Sequence, residues 1–248
     1  MTRTGLAKAD AGRLAIFLDF DGCLVDIAAR PQDVVVPRTL PPILDRLHRR
    51  TGGALAIVSG RSIGELRRFI PGAGAMICGS HGAERQRGSR VERLHVDQDA
   101  LESAAARAEA ELGDAPGLIV ERKPVGLGLH YRGDPSRAGD VATLAESLLA
   151  DLPGYHAHHG KMVVELRPNG VGKGGVVADL MRGPRFRGRL PVMMGDDTTD
   201  EPAFEAVNGF GGLSVKVGPG RTAALARLGA PAEVRRLLSV WATGGQAA

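Results

Sequence analysis

The sequence predicts an α/β protein, with a parallel-sheet core assembled from both ends of the chain and an α+β module inserted between the two parts. Three observations predict it. Apolar runs alternate with helix-period segments up to residue 86 and again after residue 168, the pattern of strands joined by crossover helices. Between these stretches the order changes to helix, hairpin, helix, hairpin, a repeat of architecture that suits a separate compact unit. Two apolar runs end in acids, "LDFDG" from Leu18 and "GDDTTDE" from Gly195, and the end of a parallel strand is where α/β proteins place chemistry. The expected division is residues 1–86 and 169–248 for the core and 87–168 for the insert.

Each element has its own signal. Residues 14–18 are short and wholly apolar, a buried strand; 39–50 is a helix with prolines in its opening turn, where a missing N–H costs nothing. Residues 54–58 form a second strand that stops at Ser59 and Gly60, and 62–69 is a helix that Ser62 can cap. A third strand, 74–78, runs into "GSHGAE". In the insert, 97–112 is an alanine and glutamate-rich helix, 117–122 and 126–131 are half-buried strands, 137–150 is a helix, and 154–158 with 161–166 makes a hairpin around His159 and Gly160. The core resumes with a helix near 173–181, a strand at 191–194, a helix through 207, a strand at 213–217 and a helix from 221.

Composition bounds the function. At 248 residues and 43% hydrophobic the chain can fill a real core. The polar opening MTRTGLAKADAGR and the lack of a long apolar run make the cytoplasm the expected location and a membrane no expected partner. Cys23 and Cys78 are too few for a disulfide framework and are expected to stay reduced. The +4 charge comes from 32 bases scattered among 28 acids, and six Phe, two Tyr and one Trp offer little to stack on bases, so nucleic acid is not an expected partner. The arginines of "RGPRFRGR", 182–189, read as a solvated loop.

The acids carry the chemistry. Asp19 and Asp21 would share a face of an ideal strand, and Gly22 lets the chain turn. Such a pair can bind a hard cation, supply a nucleophile and an acid, or do all three; a plain Asp-x-Asp-Gly turn is the alternative. Asp196, Asp197 and Asp200, with Glu201 beside them, would repel one another unless a divalent cation neutralised them. Ser59 lies between a strand and a helix N-terminus, where a hydroxyl and free amides meet an anion, and Lys173 in "VGKGG" adds a mobile positive charge. These parts describe phosphoryl transfer to an aspartate, with a second acid that protonates the leaving alcohol and later activates water.

In this order "DFDGCL", "SGR", "KGG" and "GDDTTDE" resemble the four motifs of the haloacid dehalogenase superfamily of phosphatases. The resemblance implies a Rossmann-like core with an inserted α+β cap. It makes Asp19 the nucleophile, Asp21 the general acid and base, and Ser59 and Lys173 phosphate ligands. It also implies that Asp196 binds magnesium with Asp19 and the backbone carbonyl of Asp21, and that Asp197 and Asp200 support or complete that site. One departure stands out: Cys23 occupies the position where the superfamily commonly has threonine, so some support to the nucleophile loop is lost.

The ordered stretches "DFDGCLVDIAARP", "SGRSIGELRRF", "GSHGAE", "VERKPVGLGLHYR", "HGKMVVELRPNGVGKGGVV" and "GDDTTDEPAF" are similar to the trehalose-6-phosphate phosphatase family over nearly the whole chain. That resemblance implies magnesium-dependent release of phosphate from trehalose 6-phosphate, a cap that closes over the sugar, and functional coupling to a trehalose-6-phosphate synthase; a monomer is expected, with a dimer as the alternative. Expected substrate contacts are Arg61, the loop of Gly79, Ser80, His81 and Gly82, and the insert residues Arg122, Lys123, His130, Arg132, Lys161 and Glu165. Glu165 suits paired sugar hydroxyls because a carboxylate accepts two hydrogen bonds. A phosphatase for sucrose 6-phosphate or mannosyl-3-phosphoglycerate would keep the same core chemistry, and a non-catalytic sugar-phosphate sensor is the reading outside enzymology. "NGVGKGG" lacks the Ser/Thr of a P-loop, and "HAHH" at 156–159 has no third metal ligand near it in sequence.

Overall fold

The computed structural model describes residues 9–28, 30–113 and 115–244. In chain order the elements are strand β1 (Leu14–Leu18), helix α1 (Leu40–Arg50), β2 (Leu55–Val58), α2 (Ile63–Phe69), β3 (Met76–Gly79), β4 (Glu84–Arg87) and β5 (Arg90–Arg93). The insert follows with α3 (Gln98–Leu112), β6 (Ile119–Lys123), β7 (Gly126–His130), α4 (Ala138–Leu148), β8 (Tyr155–Gly160) and β9 (Val163–Pro168). The remainder is α5 (Lys173–Arg182), β10 (Leu190–Gly195), α6 (Glu201–Gly209), β11 (Leu213–Val217), β12 (Ala226–Leu228) and α7 (Pro231–Thr243). The chain forms two compact units: one runs to Val91 and resumes at Gly172, and the other is Glu92–Val171.

The large sheet has the order β12-β11-β10-β1-β2-β3-β4-β5, with β1 paired in parallel to both β10 and β2. Every residue of β1 is buried because helices cover both faces. Leu14, Ile16 and Leu18 pack with Leu40, Leu44 and Leu47 of α1 and with Leu238 and Trp241 of α7; Ala15 and Phe17 pack with Val177 of α5 and Phe204 of α6. Register positions the chemistry: Leu18 sits opposite Met194, so the chain leaves both strands at the same level and Asp19 N donates to Met194 O at 2.9 Å.

The insert is an antiparallel sheet, β6-β7-β9-β8, with one apolar face. Leu127, Leu129, Val164 and Leu166 pack against Leu101, Ala105 and Ala108 of α3 and Val141, Ala145 and Leu148 of α4.

The structure corrects several sequence expectations. The β8–β9 turn is Lys161-Met162, because His159 pairs with Val164 and Gly160 with Val163; Met162 takes the positive φ, +63°, that a two-residue hairpin demands. The glycine of His159-Gly160 is a strand residue. The last helix starts at Pro231, where proline suits a first turn, and residues 226–228 add an edge strand instead. The β4–β5 hairpin has no apolar alternation to announce it: "ERQR" and "RVER" are polar, and β5 forms the edge of the sheet. The loop around 186 is anchored as well as solvated, since Phe186 is buried and stacks on Phe17 with centroids 5.4 Å apart, while Arg189 Nη1 donates to Gly12 O at 2.6 Å. Cys23 and Cys78 are both buried and form no disulfide, and no helix among the described residues is long and apolar enough to cross a membrane.

Candidate active site

Just past β1, Asp19 is 5% exposed and accepts from Phe20 N at 2.7 Å. The ammonium of Lys173, the first residue of α5, lies 2.9 Å from Asp19 Oδ1 and 2.7 Å from Asp200 Oδ1. Asp200 in turn accepts at Oδ2 from the backbone N–H of Asp196 (2.9 Å) and Asp197 (3.0 Å), which folds the loop after β10 around its carboxylate. One carboxylate oxygen from each of Asp19, Asp196 and Asp200 falls within 4.8 Å of the others. Gly22, at φ +69°, allows this packing, because a Cβ there would collide with the Asp196 carboxylate.

Three acids around one ammonium have predictable electrostatics. Burial, and then the charge of Asp200, push Asp19 well above the ordinary carboxylate range. The same two causes raise Asp196 to about 7. Burial would pull Lys173 down, but Asp19 and Asp200 beside it outweigh that and hold it above the usual lysine range. The acids exceed the cation that bridges them, and their donors are hard oxygens, so Asp19, Asp196 and Asp200 suit a divalent cation. Asp197 faces elsewhere: its Oδ1 caps the next turn by accepting from Thr198 N at 2.8 Å.

Asp21 is not one of the three carboxylates that converge here. The strand ends at Leu18, so strand geometry no longer aligns the two acids. Asp21 Oδ2 and Oδ1 accept from Arg61 Nε and Nη2 at 2.6 and 2.8 Å, so this arginine is spent on an acid. Ser59 is 1% exposed; its Oγ accepts from Arg61 N at 3.2 Å and its carbonyl from His81 N at 2.9 Å. The Gly79–Gly82 loop is thereby stitched to the Ser59–Arg61 loop. Ser80 (φ +49°) and His81 (φ +55°) are both left-handed, an uncommon conformation held in place here by buried Glu84, which accepts from Ile63 N at 2.9 Å and from Ser80 Oγ at 3.2 Å.

In the insert, register assembles a second cluster on the sheet face away from α3 and α4. Glu121 pairs with Gly128, Gly128 with Glu165, and Glu165 with His158, one row across four strands. Lys123 and Arg167 both ion-pair with Glu165, Lys123 lies 3.5 Å from Glu121, and His130 Nε2 is 2.7 Å from Glu121 Oε2. Burial would lower Lys123, but Glu165 and Glu121 hold it above its usual range; burial would raise Glu121, but the His130 hydrogen bond and Lys123 hold it below.

Of the six expected insert residues, Lys123, His130 and Glu165 therefore meet. Arg122, one position over, points to the opposite face and pairs with Glu109 at 2.7 Å and with Glu102 of α3. Arg132 and Lys161 meet at the hairpin end, where Arg132 Nη2 donates to Lys161 O at 3.2 Å and Lys161 is exposed. Three residues that shape the two clusters were not among the expected ones. Glu121 and Arg167 lie two positions from Lys123 and Glu165 on their strands, so period-2 reasoning would have found them. Lys216, buried on β11, donates to Asp196 O; its only sequence signal is that lysine is rare in this chain.

The model of the trehalose-phosphatase family matches residues 17–226. A probable trehalose-phosphate phosphatase of Sinorhizobium fredii is 39% identical over 215 residues, covering 86% of this chain and 80% of the relative. The trehalose-6-phosphate phosphatase of Escherichia coli is 35% identical over 237 residues, covering 95% and 89%. A crystal structure of a trehalose-6-phosphate phosphatase related protein superposes with a TM-score of 0.76 at 30% identity, covering 94% of this chain and 98% of that one. With its haloacid dehalogenase-like fold and a family match that spans both acidic clusters, the chain belongs to the trehalose-phosphatase family.

Proposed function

We propose that the protein hydrolyses trehalose 6-phosphate to trehalose and phosphate through an aspartyl-phosphate on Asp19. The observation that carries this reading is the buried Asp19 carboxylate, held by Lys173 beside Asp196 and Asp200 at the ends of two paired parallel strands. In the first step Asp19 bonds to phosphorus as the P–O bond to the sugar breaks, and Asp21 gives a proton to the departing oxygen. In the second, Asp21 takes a proton from the attacking water and Asp19 is released. Lys173 offsets charge on the phosphoryl oxygens, and Ser59 with the backbone of its loop binds them. Magnesium is the proposed ion, held by Asp19 and Asp196; when bound it screens the charge of the transferring phosphoryl group.

The charged face of the insert supports recognition of the sugar. Glu121 and Glu165 are balanced by Lys123 and Arg167, so the face suits a neutral polyol more than a second anion, and Glu165 can accept from hydroxyls. The test is phosphate release with magnesium from trehalose 6-phosphate, sucrose 6-phosphate, mannosyl-3-phosphoglycerate and glucose 6-phosphate. Selective turnover of the first supports both parts; preference for another member overturns the substrate and keeps the chemistry. Magnesium-independent turnover would overturn the chemistry itself.

A further inference from the structure

We infer that Arg61 is a positioning residue that holds the Asp21 carboxylate in place for both proton transfers, and is not a ligand of the substrate phosphate. The inference rests on the reading of Asp21 as acid and base given above. Arg61 grips Asp21 at both oxygens, Nε to Oδ2 at 2.6 Å and Nη2 to Oδ1 at 2.8 Å, a planar two-point match that lysine cannot make. The fork is itself immobilised. Its central carbon lies 4.9 Å from the Phe69 ring centroid and 5.8 Å from that of Phe20. Its Nη1 is 3.5 Å from Glu65, an acid already fixed in a capping box with Ser62. The Arg61 side chain is 9% exposed and that of Asp21 is 34% exposed, so a buried, fixed cation presents a carboxylate that solvent can reach.

Both steps need that carboxylate in one place. In the first, the pair of the P–O bond goes to the sugar oxygen, which takes the proton of Asp21 while Asp19 bonds to phosphorus. In the second, water bonds to phosphorus, its proton goes to Asp21, and the bond from Asp19 breaks, so Asp21 ends each turnover in its starting state. A carboxylate released from the fork would sample other rotamers, and displacement by about 1 Å can cost on the order of 100-fold in rate.

The leaving group provides the test. 4-Nitrophenolate departs without a proton, so phosphoenzyme formation from 4-nitrophenyl phosphate does not need Asp21, whereas formation from trehalose 6-phosphate does. Rapid mixing of wild type, R61K, R61M and F69L with each substrate separates the steps. In both Arg61 variants, the first step with trehalose 6-phosphate is expected to slow about 100-fold. The 4-nitrophenolate burst should stay within about threefold of wild type while its steady-state rate falls, because the second step still needs Asp21. R61K should do no better than R61M, and F69L, which keeps the fork but loosens it, should show the same pattern more weakly. Equal slowing of both bursts, a rise in KM with kcat unchanged, restoration by lysine or wild-type kinetics each overturn the inference. Melting curves check folding; if R61M does not fold, R61K and F69L decide. Should wild type fail to release phosphate from trehalose 6-phosphate, the proposed substrate falls. The ratio of burst to steady-state rate with 4-nitrophenyl phosphate still decides the role of Arg61.

Discussion

At the ends of β1 and β10 three carboxylates, Asp19, Asp196 and Asp200, gather around one bridging ammonium, Lys173, whereas on the insert sheet Glu121 and Glu165 face Lys123 and Arg167 in balance. Both clusters are largely buried, yet only the first is left with excess negative charge. Buried charge must be neutralised: the insert cluster balances its own, while the acid-rich core cluster suits a divalent cation. On the proposed reading the balanced surface takes sugar hydroxyls, and the acid-rich one takes a cation and, with Lys173, a phosphate.

The contrast can be broken most sharply at Asp19. D19N should lower turnover by about 10⁴-fold or more with the fold intact, because an amide is no nucleophile toward phosphorus. Hydrolysis near the wild-type rate would remove the core cluster from the chemistry.

Metal removal comes next. Chelation should abolish activity and magnesium restore it, and magnesium at about 100 times its Kd should stabilise the fold by about 2.7 kcal/mol. A melting temperature indifferent to magnesium would leave the acid excess unexplained.

In the insert, Glu165→Ala should raise KM for trehalose 6-phosphate by about 10- to 100-fold with a much smaller effect on 4-nitrophenyl phosphate, since it strips an acceptor and leaves Lys123 and Arg167 without their shared partner. Arg122→Ala, on the other face, should leave KM unchanged. Equal KM effects would mean that the face assignment does not govern recognition.

The smallest effect is a pH dependence. Asp196 sits at about 7 against 3.8 for an unperturbed aspartate, so between those values the folded protein binds more protons than the unfolded chain. Stability of the metal-free protein should therefore fall as pH rises from about 4 to 7, and saturating magnesium should flatten that fall. Thermal melts at several pH values check it; a melting temperature that climbs across this window in metal-free buffer contradicts the electrostatics.

Much of this was legible in the sequence. The strand at 14–18, the capped helix after Ser62 and the parallel pattern on both sides of the insert follow from burial periodicity and capping chemistry, which are local. The β4–β5 hairpin was not, because "ERQR" and "RVER" carry no period-2 apolar signal. Nor was the turn at Lys161-Met162, where a non-glycine residue takes the left-handed position and the neighbouring glycine misleads.

The sequence by itself determined the order and type of most elements and the stock of acids, lysines and hydroxyls near strand ends, because periodicity and turn chemistry act over a few residues. Only the tertiary structure decided the pairings: Arg61 on Asp21, Arg122 on α3 and not beside Lys123, Lys216 on the carbonyl of Asp196. The physical reason is that strand register and the two-residue alternation of side chains convert one step along the chain into a change of face. An ion pair such as Lys123–Glu165, 42 positions apart, depends on that register, and Arg61–Asp21, 40 apart, on the pairing that brings the ends of β1 and β2 together.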